Sequence, residues 1–181
     1  RKDYSMKQSE HAEKLCPIAQ TLGIVGDSWT LLILRNCFMG TRRFDEFQQE
    51  LGLTRHVLAE RLKKLVAVDI LNKVPQKDHA SRFEYRLSPK GKGLSPVFMA
   101  LSNWGNEWLF EDNQQPNAYR HESCGKDMTP KMCCSECGEE LIGRDIKMHL
   151  SQHTLGQSET LSETQVIEKF GFIPPELNTA K

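Results

Sequence analysis

The densest group of reactive side chains is the stretch HESCGKDMTPKMCCSECGEEL, residues 121–141, which holds four of the six cysteines. His121-x2-Cys124 and Cys134-x2-Cys137 form two chelating pairs nine residues apart. Imidazole nitrogen and thiolate sulfur are favoured zinc donors, and an x2 spacing lets a turn wrap a tetrahedral ion. Gly125 and Gly138 follow the pairs and ease those turns. The expectation is one structural Zn2+ held by His121, Cys124, Cys134 and Cys137, with no position left open for hydrolysis. A competing set is Cys134-x2-Cys137-x11-His149-x3-His153, one residue short of the usual finger spacing and set in an acidic segment. The plain alternative is a metal-free tail of reduced thiols, with Cys133 as an odd thiol in every case. A deaminase-like zinc enzyme needs His-x-Glu upstream of Pro-Cys-x2-Cys. Residues 121–123 are His-Glu-Ser and no proline precedes Cys134, so an enzyme of that class is not expected.

A second stretch suited to recognition is LTRHVLAERLKKL, residues 53–65. Leu58, Leu62 and Leu65 fall at i, i+4, i+7 and line one stripe of a helix. Thr54 stands where its hydroxyl can cap free backbone N–H groups. At 100° per residue, His56, Glu60 and Lys63 point away from the leucines, with Arg55 and Ala59 beside them. The outer face therefore presents hydrogen-bonding groups from a short, capped helix.

The bulk charge hides a partner. The chain carries 24 Lys/Arg and 24 Asp/Glu, yet residues 41–92 hold 12 basic and 7 acidic residues. Residues 93–181 hold 7 and 13, so an acidic C-terminal third masks a basic middle. A mixed, solvated surface is the bland account; a nucleic-acid footprint is the sharper one. No apolar run approaches the roughly 20 residues needed to span a membrane. With no secretory signal visible at the start, a soluble cytoplasmic protein is expected.

The elements that must position these groups follow from periodicity. Residues 1–14 are polar and form an arm. Cys16-Pro17 opens a helix with Leu15, Ile18, Leu22 and Val25 on one stripe, proline suiting the first turn. Gly26-Asp27-Ser28 breaks it, and Asp27 or Ser28 can cap the apolar helix 29–38. TRRFDEFQQEL, 41–51, reads as a short extended piece and a third helix with Phe44, Phe47 and Leu51 inward. Gly52 makes a tight turn into the helix already described. Strand-like 71–74 and 83–87 flank a turn-rich loop at 75–82 and make a hairpin. Ser88-Pro89 starts a last helix with Leu94, Phe98, Leu101, Trp104 and Trp108 as its stripe. The fold class is mainly α with a small β-hairpin: a winged helix-turn-helix, with a zinc-knuckle-like extension. The expected boundaries are 1–14, the winged domain at 15–112, the knuckle at 113–150 and a tail at 151–181 with a short helix near 161–169.

Cys16-Pro17, GDSWTLLILR at 26–35, RRFDEF at 42–47, LTRHVLAERLKKL, YRLSPKGK at 85–92 and Trp104-Gly105 together cover about residues 15–108. In order and spacing this chain resembles the HxlR family of bacterial winged helix-turn-helix regulators. The resemblance implies a sequence-specific transcription regulator that binds double-stranded DNA, with residues 54–67 as the recognition helix in the major groove. Base readers belong at the leading end of that helix and away from the leucines, which selects Thr54, Arg55, His56, Ala59, Glu60 and Lys63. Arg55 can bond a guanine bidentately and Glu60 can accept from a cytosine amino group. Either residue can instead pair with its neighbours. Phosphate contacts are assigned to Arg42, Arg43, Lys64 and the wing residues Lys77, His79 and Arg82.

The same resemblance implies a homodimer joined through terminal helices. The stripes on the first and last helices fit such a seam, or alternatively the protein's own core. Cys16 sits at a helix N-terminus beside Lys14, a setting that favours thiolate. Regulators similar to this family carry a cysteine there, which makes Cys16 a candidate redox sensor; the alternative is an inert half-buried thiol. Cys37 lies in the apolar second helix and reads as structural. A different class of function is also open: a zinc-stabilised protein-interaction module with weak or no specific DNA binding.

Overall fold

A computed structural model describes residues 15–76, 79–111, 114–149, 151, 154 and 161–170. The elements are α1 (Pro17–Val25), α2 (Ser28–Phe38), α3 (Phe44–Leu51), α4 (Arg55–Ala67), β1 (Leu71–Gln76), β2 (His79–Leu87), α5 (Pro89–Lys92), α6 (Ser95–Trp108), β3 (Tyr119–His121), β4 (Lys126–Met128), a single 3-10 turn (Gly143–Asp145) and α7 (Glu163–Phe170). They belong to two compact units, residues 32–143 and residues 1–31 with 144–181.

The unit 32–143 carries the winged helix-turn-helix. Its core is Ile33, Leu34, Phe47, Leu53, Leu58, Leu62, Leu65, Ile70 and Leu71, all buried. The three leucines of α4 are inward, as their spacing requires. Phe38 of α2 and Phe98 of α6 meet as a tilted pair with centroids 5.1 Å apart. Glu46 begins α3 by accepting from the Arg43 amide at 2.9 Å. Gly52 ends it in a left-handed conformation, φ +64°, with its N–H returned to the Gln48 carbonyl at 3.0 Å. A β-carbon is disfavoured at such a φ, so glycine makes the tight turn possible. Thr54 caps α4 by accepting from the Val57 amide at 3.4 Å.

The hairpin is longer than the sequence suggested. β1 pairs antiparallel with β2 from Leu71↔Leu87 to Pro75↔Phe83, and after an irregularity at Pro75/Gln76 the pairing resumes at Gln76↔His79. Pro75, Gln76 and residues 79–82 are therefore strand and not loop. Their turn-like composition loses to pairing, because the irregularity absorbs the proline that cannot donate to the ladder. The extended piece before α3 joins this sheet: Arg43 bridges Glu84, and the Tyr85 amide donates to the Arg42 carbonyl at 2.8 Å. Lys77 lies outside the described residues, as does the side chain of His79.

The last helix of the winged domain is two helices. Ser88 caps α5 by accepting from the Gly91 amide at 3.0 Å, while its hydroxyl donates to the Asp69 carbonyl. Gly93 closes α5, and α6 restarts with Pro96 in its first turn. A proline at that position would remove a hydrogen bond from a continuous helix, whereas at the start of a new one it removes nothing.

In the other unit, Asp27 caps α2 by accepting from the Thr30 amide at 3.0 Å and the Thr30 hydroxyl at 3.2 Å. The Leu15 amide donates to the Lys169 carbonyl at 2.7 Å, so the entry to α1 is tied to the end of α7. Val25, Val166 and Phe170 are buried. Grouping of 144–181 with the N-terminal segment departs from the expected boundaries, as does inclusion of the cysteine-rich stretch in the winged unit. Residues 1–14, the expected arm, lie outside the described residues. Among the described residues no single helix is long and apolar enough to cross a membrane.

Candidate nucleic-acid interface

The face of α4 opposite its leucines is open. Thr54, Arg55, His56, Ala59, Glu60 and Lys63 are all exposed, and Lys64 is half-buried. These side chains share one surface because the buried stripe fixes the rotation of the helix about its axis. His56 and Glu60 stand one turn apart, with Nε2 and Oε2 3.7 Å from each other.

Arg55 is held by α3. Its Nη1 donates to Asp45 Oδ1 and to Gln48 Oε1, both at 3.3 Å, and its guanidinium stands 5.0 Å from the Phe44 ring centre. Both partners of the Arg55–Asp45 ion pair are exposed, so water screens the pair and the contact is weak enough to exchange for a base. Sequence reasoning admitted pairing with neighbours but did not identify Asp45, Gln48 or Phe44. Their only signal was position: they occupy the first turns of the preceding helix, across a tight turn from Arg55.

Arg42 and Arg43 are exposed at the start of α3, beside the sheet. Glu84 of β2 faces them. Two hydrogen bonds from Arg86, at 2.8 and 3.0 Å, and the nearby charges of Arg86, Arg42 and Arg43 hold the Glu84 carboxyl below the usual carboxylate range. Arg82 is exposed on the same strand. Lys73 of β1 lies over the Phe83 ring, 4.2 Å from its centre. Lys73 and Arg86 were not foreseen as part of the basic wing. Alternation along the two strands would have placed them on a face, although not beside their present partners.

A winged domain with α4 open at its leading end and basic groups on the adjoining sheet matches known proteins. The HxlR-like helix-turn-helix family model aligns with residues 24–113. The chain belongs to the HxlR family. It is 39% identical over 129 residues to the HTH-type transcriptional regulator Rv3095 of Mycobacterium tuberculosis (strain ATCC 25618 / H37Rv), covering 71% of this chain and 82% of that one. To the HTH-type transcriptional regulator YvaP of Bacillus subtilis (strain 168) it is 34% identical over 106 residues, covering 58% and 94%. The crystal structure of PA1607, described as a transcription factor, is similar with a TM-score of 0.69 at 32% identity over 78% of this chain and 99% of that one. A second transcription-factor structure, PA1374 from Pseudomonas aeruginosa, gives 0.53 at 28% identity over 83% and 97%. As an HxlR-type protein the chain is a DNA-binding transcriptional regulator and not an enzyme.

The remaining sequence candidates are thiols and histidines. Cys16 is the N-cap residue of α1, half-buried, with no side-chain capping bond. Burial pushes the Cys37 thiol up to about 12. His121 Nδ1 stands 3.4 Å from Cys124 Sγ. The Cys134 thiol receives the Cys137 and Glu136 amides and the Cys137 thiol, which lower it from the usual thiol range. Within each expected pair the two side chains thus lie close together. Among the described residues, however, no three His, Cys, Asp or Glu side chains are grouped as one metal cage. His149 is exposed, and His153 lies outside the described residues.

Proposed function

We propose that α4 enters the major groove and reads bases with Thr54, Arg55, His56, Ala59, Glu60 and Lys63. Arg42, Arg43, Lys64 and the wing residues Lys77, His79 and Arg82 hold the phosphates. The observation that carries this reading is the open face of α4, exposed at Thr54, Arg55, His56, Ala59, Glu60 and Lys63 while Leu58, Leu62 and Leu65 anchor the other side. A helix so mounted can enter a groove of about 12 Å without unpacking. Arg42 and Arg43 are carried on the piece of chain that pairs with β2, so helix and wing are presented together.

We also propose a homodimer acting in the cytoplasm. Trp104 (58% exposed) and Trp108 (66%), one turn apart on α6, are large apolar groups open to water. Such surfaces are costly for a monomer and mark association sites. Two-fold pairing would present two α4 helices to half-sites about one DNA turn apart. An oxidant or electrophile would act through Cys16, which is half-buried at a helix start, and not through Cys37.

The test is selection of bound genomic fragments with the purified chain, followed by affinity measurements across salt. A regulator of this type gives an enriched motif with two half-sites and a steep salt slope. Arg82→Ala should lower affinity alike for all sequences and reduce that slope by about 1. Trp104→Glu should shift the sedimenting species to the monomer. No enriched motif, together with salt-independent binding to a protein, would favour the interaction-module reading.

A further inference from the structure

The stretch 119–141 repeats one backbone device twice. In the first copy β3 and β4 pair antiparallel, with His121↔Lys126 nearest the turn. The Gly125 amide donates to the His121 carbonyl at 2.7 Å, and Gly125 has φ +67°. In the second, Cys133 bridges Glu140, the Gly138 amide donates to the Cys134 carbonyl at 2.9 Å, and Gly138 has φ +77°. Each copy is therefore donor residue, two residues, cysteine, left-handed glycine, with the glycine amide returned to the donor residue's carbonyl. Such a turn points the first and fourth side chains to one side, and His121 Nδ1 is 3.4 Å from Cys124 Sγ.

The chain between the copies is short. β4 leads away from the first turn over Lys126–Met128, and residues 129–133 lead into the second. Lys131 pairs with Glu140 across the second hairpin. The Asn103 side-chain amide of α6 donates to the Pro130 carbonyl at 2.8 Å, and that of Asn106 to the Asn117 carbonyl at 2.9 Å. The base of the extension is thus anchored to a helix.

We propose that the two turns close on one zinc ion, with His121, Cys124, Cys134 and Cys137 as ligands, to form a structural ribbon clamped to α6. Nitrogen and three thiolates are a usual structural zinc set. Among the described residues the two pairs are not grouped, so the two turns must come together on the ion. Cys133, on the strand leading into the second turn, is left as the free thiol. With all four positions taken by protein the ion supplies no catalytic water.

The full chain, purified without chelator, is tested by elemental analysis and by exchange of its metal for Co2+. About one metal per chain is expected, with the cobalt form showing intense thiolate charge-transfer absorption and tetrahedral ligand-field bands. His121→Ala and Cys124→Ala should each lower metal content at least tenfold after dialysis, and His149→Ala and His153→Ala should not. Circular dichroism and DNA binding of the same variants report whether the winged domain stays folded, so metal loss can be separated from misfolding. Metal retained in His121→Ala but lost in His149→Ala would overturn the ligand assignment. Failure of wild type to take up either Zn2+ or Co2+ would overturn the site altogether.

Discussion

The Arg55 guanidinium donates to the Asp45 carboxylate at 3.3 Å, linking the first turns of the two helices of the motif. The contact is exposed on both sides, so its contribution to stability is at most about 1 kcal/mol. Its consequence is orientation: Arg55 is parked at the leading end of α4, over Phe44. Arg55→Ala should therefore weaken operator binding by about 1–3 kcal/mol and relax preference at one base pair. The melting transition should scarcely change. Unaltered affinity and unaltered preference, measured on a panel of single-base operator variants, would remove Arg55 from the reading set.

Gly91 is fixed by contact and not by dihedral angle. A β-carbon built there would stand 2.3 Å from the Ile70 carbonyl oxygen and 3.1 Å from Leu87 Cδ2. Ile70 begins the path into β1 and Leu87 ends β2, so α5 seals the base of the wing through this glycine. Gly91→Ala should cost about 1–3 kcal/mol, since backbone must move to make room. Urea denaturation measures it. A variant as stable as wild type would mean that α5 is loosely seated.

How much of this was legible in advance depends on the range of the interaction. Helix α4 was legible because its signals are local: leucines at i, i+4, i+7, a capping threonine and a glycine turn. The wing was less so. Pro75, Gln76 and residues 79–82 have a turn-like composition that looks like loop until a partner strand supplies hydrogen bonds. The third pairing, Arg43 with Glu84, joins residues far apart in sequence and leaves no local mark. Leu15, Ile18, Leu22 and Val25 were read as one helical stripe, but Leu15 precedes the helix, and a stripe does not tell core from seam: Leu15, Ile18 and Leu22 are exposed while Val25 is buried. The two Cys-bearing turns were legible from spacing, but spacing constrains each turn and says nothing of the gap between turns, and among the described residues no three such side chains are grouped.

Glu84 predicts a pH dependence. Its carboxyl is held below the usual carboxylate range first by the hydrogen bond from Arg86, then by the charges of Arg86, Arg42 and Arg43. A depressed carboxyl contributes stability above its ordinary, unfolded-chain value, and that contribution is lost as pH falls through the lowered folded value. The wing should consequently loosen on the acid side of the ordinary carboxylate range. Glu84→Gln should remove this part of the acid dependence while leaving the neutral-pH fold intact. Parallel melting curves from neutral to acid pH for wild type and variant decide it: superimposable acid limbs would show that Arg86 does not hold the carboxylate in solution.

The two isolated thiols differ in setting. Cys37 lies on α2, where burial pushes its thiol up to about 12. Only thiolate attacks an alkylating agent, so Cys37 should be nearly inert at neutral pH in the folded chain. Cys16, half-buried at the start of α1, should label first of the two. The sign for stability is the reverse of the Glu84 case. The neutral Cys37 thiol is favoured by folding, so its contribution is complete below the ordinary thiol value. It declines as pH rises from there towards about 12, where the folded form also ionises. Cys37→Ala should blunt this alkaline loss, at the cost of a small cavity. Mass-resolved competitive alkylation of the native chain, with the cysteines of the 121–137 stretch scored separately, compares the two sites directly. Faster labelling of Cys37 than of Cys16 would end the case for Cys16 as the responsive thiol and would place the opening of α2 within easy reach of native fluctuations.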